Sequence, residues 1–74
     1  MTNLQKLALL SDLYDAQSRM TRWMYSAIEG GGDASYVWRC LFMWVEVKDE
    51  RDELWKKIGD HYFNAVMLRE GKKP

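Results

Sequence analysis

The chain has 74 residues, with 11 Lys plus Arg against 11 Asp plus Glu, one Cys, one His and one Pro, and 47% of it is hydrophobic. This length allows one domain with a thin core, because at about 60 residues folding buries only ~60% of the surface an unfolded chain exposes. Zero net charge removes the basic field of a dedicated nucleic-acid binder, a lone Cys forbids an internal disulfide, and one His with one Cys cannot complete a zinc site alone.

The segment Met1 to Lys6 lacks the charged start and apolar run of an export signal, which predicts a cytoplasmic protein. Thr2 and Gln5 stand at capping-box spacing, so a helix is expected to begin at Asn3. From there to about Glu29, good helix formers predominate. At 100° per residue Leu7, Leu10, Leu13, Tyr14, Met24 and Ile28 share one half of the circumference, while Asp12, Asp15, Arg19 and Arg22 occupy the other.

Gly30-Gly31-Gly32-Asp33 is the main cluster of turn formers and predicts a loop over 30–33. It is not a phosphate loop: no Gly-Lys-Ser/Thr follows, no strand precedes, and Asp33 would repel the anion. Asp33 instead suits the N-cap of a second helix, expected from about 34 to 70 with Gly71 as its stop and a short tail over 71–74. The apolar run Tyr36 to Val47 also suits a strand, but a lone strand cannot satisfy its backbone, so helix is favoured. The run is too short to span a membrane, and its acidic flanks argue against an interfacial helix.

Six consecutive charges, Lys48 to Glu53, follow, with Asp52–Lys56 and Glu53–Lys57 as favourable i,i+4 pairs. A seven-residue spacing joins Cys40, Val47, Leu54, His61 and Leu68, and the first helix answers with Leu10, Gln17 and Met24. Antiparallel folding about the glycines puts Gln17 level with Val47 and Arg51. Gln17, Thr21 and Arg51 are therefore expected to form a polar layer that sets register within an apolar seam.

A lone two-helix hairpin of these lengths leaves the last nine residues of the second helix overhanging by roughly 13 Å at ~1.5 Å per residue. The overhang carries Tyr62, Phe63, Val66, Met67 and Leu68, and Trp38, Phe42 and Val45 lie on the side away from the seam. The expected fold is thus all-α, a helical hairpin that assembles as a homodimeric four-helix bundle. The alternative is a monomeric three-helix bundle whose break falls near residues 48–53, with Asp49 as N-cap; no Gly, Pro or Asn lies between 46 and 53 to make that turn.

Cys40 reads as a small buried hydrophobe without an activating base, and Ser11 and Ser35 lack a nucleophile-elbow setting. His61 reads as a seam-edge residue, since Ile58 stands where a bundle metal site needs Glu. No catalytic, metal or cofactor site is predicted. Trp, Tyr and Met are abundant, and these residue types suit contact surfaces. Trp23, Trp38, Phe42, Val45, Phe63 and Met67 are the candidate protein-interaction residues.

Charge is uneven. Residues 33–53 hold six acids and three bases, whereas residues 54–74 hold five bases and two acids. The basic half, Lys56, Lys57, Arg69, Lys72 and Lys73, suggests a nucleic-acid-associated regulator as a second reading, disfavoured by the interspersed Asp60 and Glu70. A structural subunit of a larger assembly is a third. The leading expectation is a small non-enzymatic interaction protein of the kind bacteria and bacteriophages use as regulators or inhibitors, one that occludes or bridges a larger protein.

Overall fold

The computed structural model describes residues 1–71, which form three helices and no strand: α1 (Asn3–Glu29), α2 (Ala34–Ile58) and α3 (Asp60–Arg69). The first helix starts where its cap predicts. Gln5 N–H donates to the Thr2 hydroxyl at 3.2 Å and Thr2 N–H to Gln5 Oε1 at 2.9 Å, so two orphan amides are satisfied reciprocally. It ends at the glycines, where Gly31 takes φ +69° and Gly32 N–H reaches back to the Ala27 carbonyl at 2.6 Å. A Cβ on Gly32 would lie 2.8 Å from that same carbonyl oxygen, so the close approach requires glycine. Asp33 then caps α2 by accepting from Ser35 N–H at 2.9 Å.

The expected helix from 34 to 70 is corrected: it ends at Ile58, and the chain reverses at Gly59 into α3. The break expected in the alternative fold is also corrected, since residues 48–53 are helical and Asp49 caps nothing. Three local features converge on Gly59. Gly costs about 1 kcal/mol in a helix interior. Lys56 and Lys57 occupy the last turn of α2 and Asp60 the first turn of α3, each with the sign its helix end favours. Gly59 serves both helices through its backbone: its N–H donates to the Trp55 carbonyl, and its own carbonyl accepts from Tyr62 and Phe63, all at 3.1 Å.

Reversal brings Met67 against α2, where it is buried, and burying one such side chain is worth ~1.5–3 kcal/mol. That exceeds what helical continuity through a glycine would return. The overhang therefore does not exist. Of its residues Met67 is buried, Phe63 and Val66 are half-buried, and Tyr62 and Leu68 are exposed. The reversal also takes His61 and Leu68 out of the heptad seam, so both lie at the surface.

α1 and α2 run antiparallel. Lys6 Nζ at one end of α1 donates to the Lys57 carbonyl at 3.2 Å, closing an orphan acceptor at the end of α2, and Gln17 Nε2 donates to the Trp44 carbonyl at 3.3 Å. α3 packs on α2, and among the described residues α1 and α3 do not pack on each other. α2 is thus the central element that packs on both of its neighbours, rather than one member of a closed triangle. The buried apolar side chains among the described residues are Leu10, Cys40, Leu54 and Met67.

This open arrangement shows in the dimensions. The radius of gyration is 14.4 Å, against about 11 Å for a compact domain of this length. The accessible surface is 5520 Å², against about 4,800 Å² for a typical monomer of this mass.

Candidate protein-interaction surface

Two constellations stand out, one buried and polar, the other exposed and apolar. The buried one centres on Arg51. Its Nη1 donates to Gln17 Oε1 at 2.8 Å, its Nη2 donates to Glu70 Oε1 at 2.6 Å, and its guanidinium carbon lies 4.6 Å from the centroid of the Tyr14 ring. Asp52 Oδ1 is 3.6 Å from Nη2, an ion pair without a hydrogen bond. One arginine therefore touches α1, its own helix, and the residue that caps α3.

Gln17 and Arg51 are brought together and both are buried, but Thr21 is not part of that contact. Its hydroxyl donates to the Gln17 backbone carbonyl at 2.9 Å, one helical turn back. Glu70, Tyr14 and Asp52 were not anticipated as neighbours of Arg51. Glu70 becomes one only through the reversal at Gly59. Arg51 Nε and Asp52 Oδ1 remain buried without a hydrogen-bond partner, a residual cost of placing a charge in the seam. Trp55 Nε1 donates to the Tyr14 hydroxyl at 3.2 Å, which fixes the ring that faces the guanidinium.

The i,i+4 pairs expected between Asp52 and Lys56 and between Glu53 and Lys57 are replaced by Lys48–Asp52 at 2.8 Å and Glu53–Lys56 at 3.4 Å. Lys56 also lies over the Phe63 ring, 5.0 Å from its centroid. Part of the basic half is thus engaged within the chain, while Lys72 and Lys73 lie outside the described residues.

The exposed constellation lies on α2. Trp38, Phe42 and Val45 are 58%, 63% and 42% exposed, on the side of α2 opposite its buried residues Cys40, Arg51 and Leu54. The Trp38 and Phe42 rings pack against each other, with centroids 5.7 Å apart and planes tilted by 34°. Trp23 on α1 is 48% exposed. Of the six candidate interaction residues, these four are at the surface. Phe63 is half-buried under Lys56, and Met67 is corrected from a contact residue to a core residue, because α3 turns it inward against α2.

Cys40 is buried. A side-chain hydrogen bond with Cys40 holds the Tyr36 phenol above its ordinary pKa, burial adding to the effect. His61 is exposed and meets Tyr62 edge-on, with ring centroids 5.5 Å apart.

An open cleft of about 360 Å³ lies where α1 meets α2, lined by Tyr14, Gln17, Ser18, Thr21, Arg22 and Trp44. Its lining contains no Asp, Glu or His. Among the described residues no group of three or more His, Cys, Asp or Glu side chains is placed to share a metal ion, and no helix is long and apolar enough to cross a membrane. Comparison with protein-family models, curated proteins and solved structures finds no match.

Proposed function

We propose that this chain is a small, non-enzymatic helical interaction module, a regulator or inhibitor that works by covering or bridging a larger protein. The observation that carries this reading is the Trp38, Phe42, Val45 stripe. A packed i,i+4 pair of aromatic rings adds only about 0.2–0.5 kcal/mol to its own helix, while leaving two large rings in solvent. It is the kind of rigid anchor that dominates protein interfaces, because rings lose little conformational freedom on contact.

The lining of the cleft between α1 and α2 fits the same reading, offering ring faces, hydroxyls and a guanidinium for contact but no paired acid and base for turnover. A homodimeric assembly, in which copies cover each other's stripe, belongs to this proposal and accounts for an accessible surface above that of a compact monomer. So does action inside the cell, where a reducing medium suits the unpaired Cys40.

The test is affinity capture from the native host's lysate with two baits, the wild-type chain and Phe42→Asp. Phe42 is exposed, so circular dichroism of the variant is expected to stay helical. The expected result is a protein retained by the wild type and lost with the variant. Identical capture by both baits, or loss of helicity in the variant, overturns the assignment of this stripe as the contact surface.

A further inference from the structure

We infer that the stripe on α2 takes a second copy of this chain, whose α2 lies antiparallel across it with the two Phe42 side chains facing each other on the two-fold axis. This deepens the reading above and rests on its premise that the stripe is a contact surface. The reasoning comes from the spacing of four residues about Phe42. Arg39 and Glu46 lie three residues before it and four after, and Trp38 and Val45 lie four before and three after.

On a helix of 3.6 residues per turn, Trp38 and Val45 fall about 40–60° to one side of Phe42, and Arg39 and Glu46 the same angle to the other. All five are exposed on α2. The two-fold axis of an antiparallel helix pair is normal to the plane containing both helices. It reverses position along the helix and leaves each flank on its own side of that plane. Trp38 of one copy therefore meets Val45 of the other, and Arg39 meets Glu46, each contact occurring twice because the interface is isologous.

The charged rung has the right signs and the apolar rung pairs a large ring with a small branched side chain. Parallel pairing in register exchanges the flanks and would set Arg39 beside Trp38 and Glu46 beside Val45 of the other copy, leaving both charges without a counter-ion, so charge selects the antiparallel arrangement. Neither Arg39 nor Glu46 forms an ion pair within the chain among the described residues, so both are available. The site is open on the molecule. α1 packs on the opposite side of α2, and α3 folds back only as far as Glu70 at Arg51, short of the level of Val45.

The decisive experiment uses reciprocal charge reversal, read by sedimentation equilibrium of the full chain. The wild type is expected to sediment as a dimer of the 8.8 kDa chain at about 100 µM. Arg39→Glu alone and Glu46→Arg alone each bring like charges together twice and are expected to weaken the dimer at least about tenfold. The double variant Arg39→Glu/Glu46→Arg restores it, and so does an equimolar mixture of the two single variants, as a heterodimer. Because both residues are exposed, circular dichroism of all variants is expected to match the wild type.

A wild-type monomer at that concentration overturns the inference, as do single variants that dimerise undiminished or a mixture that stays monomeric. A monomer that still captures a foreign protein through Phe42 overturns the self-pairing and leaves the interaction-module reading standing. A dimer with the charge-swap pattern whose chain captures nothing else supports the pairing and removes the foreign target.

Discussion

Arg51 and Glu70 give the sharpest test of how this fold is held, because the more exposed partner is expected to matter more. The Arg51 side chain is 7% exposed and that of Glu70 27%. Replacing Glu70 with Ala strands a guanidinium charge in the seam, with Asp52 left as a poorly placed counter-ion 3.6 Å away. Removing one partner of a buried pair costs about 3–5 kcal/mol, and the remaining bond to Gln17 and contact with Tyr14 place this case near ~3 kcal/mol. Replacing Arg51 with Met keeps most of the packing and removes the buried charge itself. Its costs are an unpaired Gln17 oxygen and a lost ring contact, together about 2 kcal/mol, since Glu70 can turn to water.

Glu70→Ala is therefore expected to be the more destabilising change. The double variant should cost little more than Arg51→Met alone, a coupling approaching ~3 kcal/mol. For a chain with total stability of roughly 4–11 kcal/mol these are large fractions. Urea unfolding followed by far-ultraviolet circular dichroism at one fixed protein concentration measures them. With a slope near 1 kcal/mol per molar, the Glu70→Ala midpoint falls by about 3 M. A loss under ~1 kcal/mol for Glu70→Ala, or additive costs in the double variant, would refute the view that Arg51 is a desolvated charge held by the residue that ends α3.

Two further expectations concern the turns. Met67 is the buried residue of α3, so Met67→Ala should cost about 2–4 kcal/mol and release α3 from α2. Small-angle scattering would then give a radius of gyration above the 14.4 Å of the folded chain; an unchanged radius would show that α3 is held by something else. At the loop, a Cβ on Gly32 meets the Ala27 carbonyl oxygen at 2.8 Å whereas one on Gly30 meets that of Ser26 at 3.3 Å. Gly32→Ala should lower the thermal midpoint more than Gly30→Ala, and the reverse order in thermal melts would contradict the close approach described here.

Local chemistry made much of the chain legible. Thr2 with Gln5, Asp33, and the glycines at 30–32 each act on neighbours within four residues, and helix ends depend on such contacts, so α1 and the start of α2 are readable from residue order. The opposite position of Trp38, Phe42 and Val45 follows from helical periodicity alone. Gly59 was equally visible, flanked by Lys56, Lys57 and Asp60. The seven-residue spacing through Cys40, Val47, Leu54, His61 and Leu68 spoke for continuity, and periodicity cannot register a reversal that preserves spacing on both sides of it.

Sequence by itself thus determined that the chain is helical, where its first two helices begin, and which α2 residues no hairpin seam could cover. Only tertiary structure decided the course of the chain after Ile58. Whether a helix runs through Gly59 or turns there depends on about 1 kcal/mol of local preference. Contacts between residues far apart in the chain, Met67 against α2 and Glu70 against Arg51, add to that preference and set the direction of the turn. The same reversal moved Met67 from the candidate surface into the core and gave Arg51 its counter-ion, because burial and charge pairing act through distance in space, which residue order does not encode.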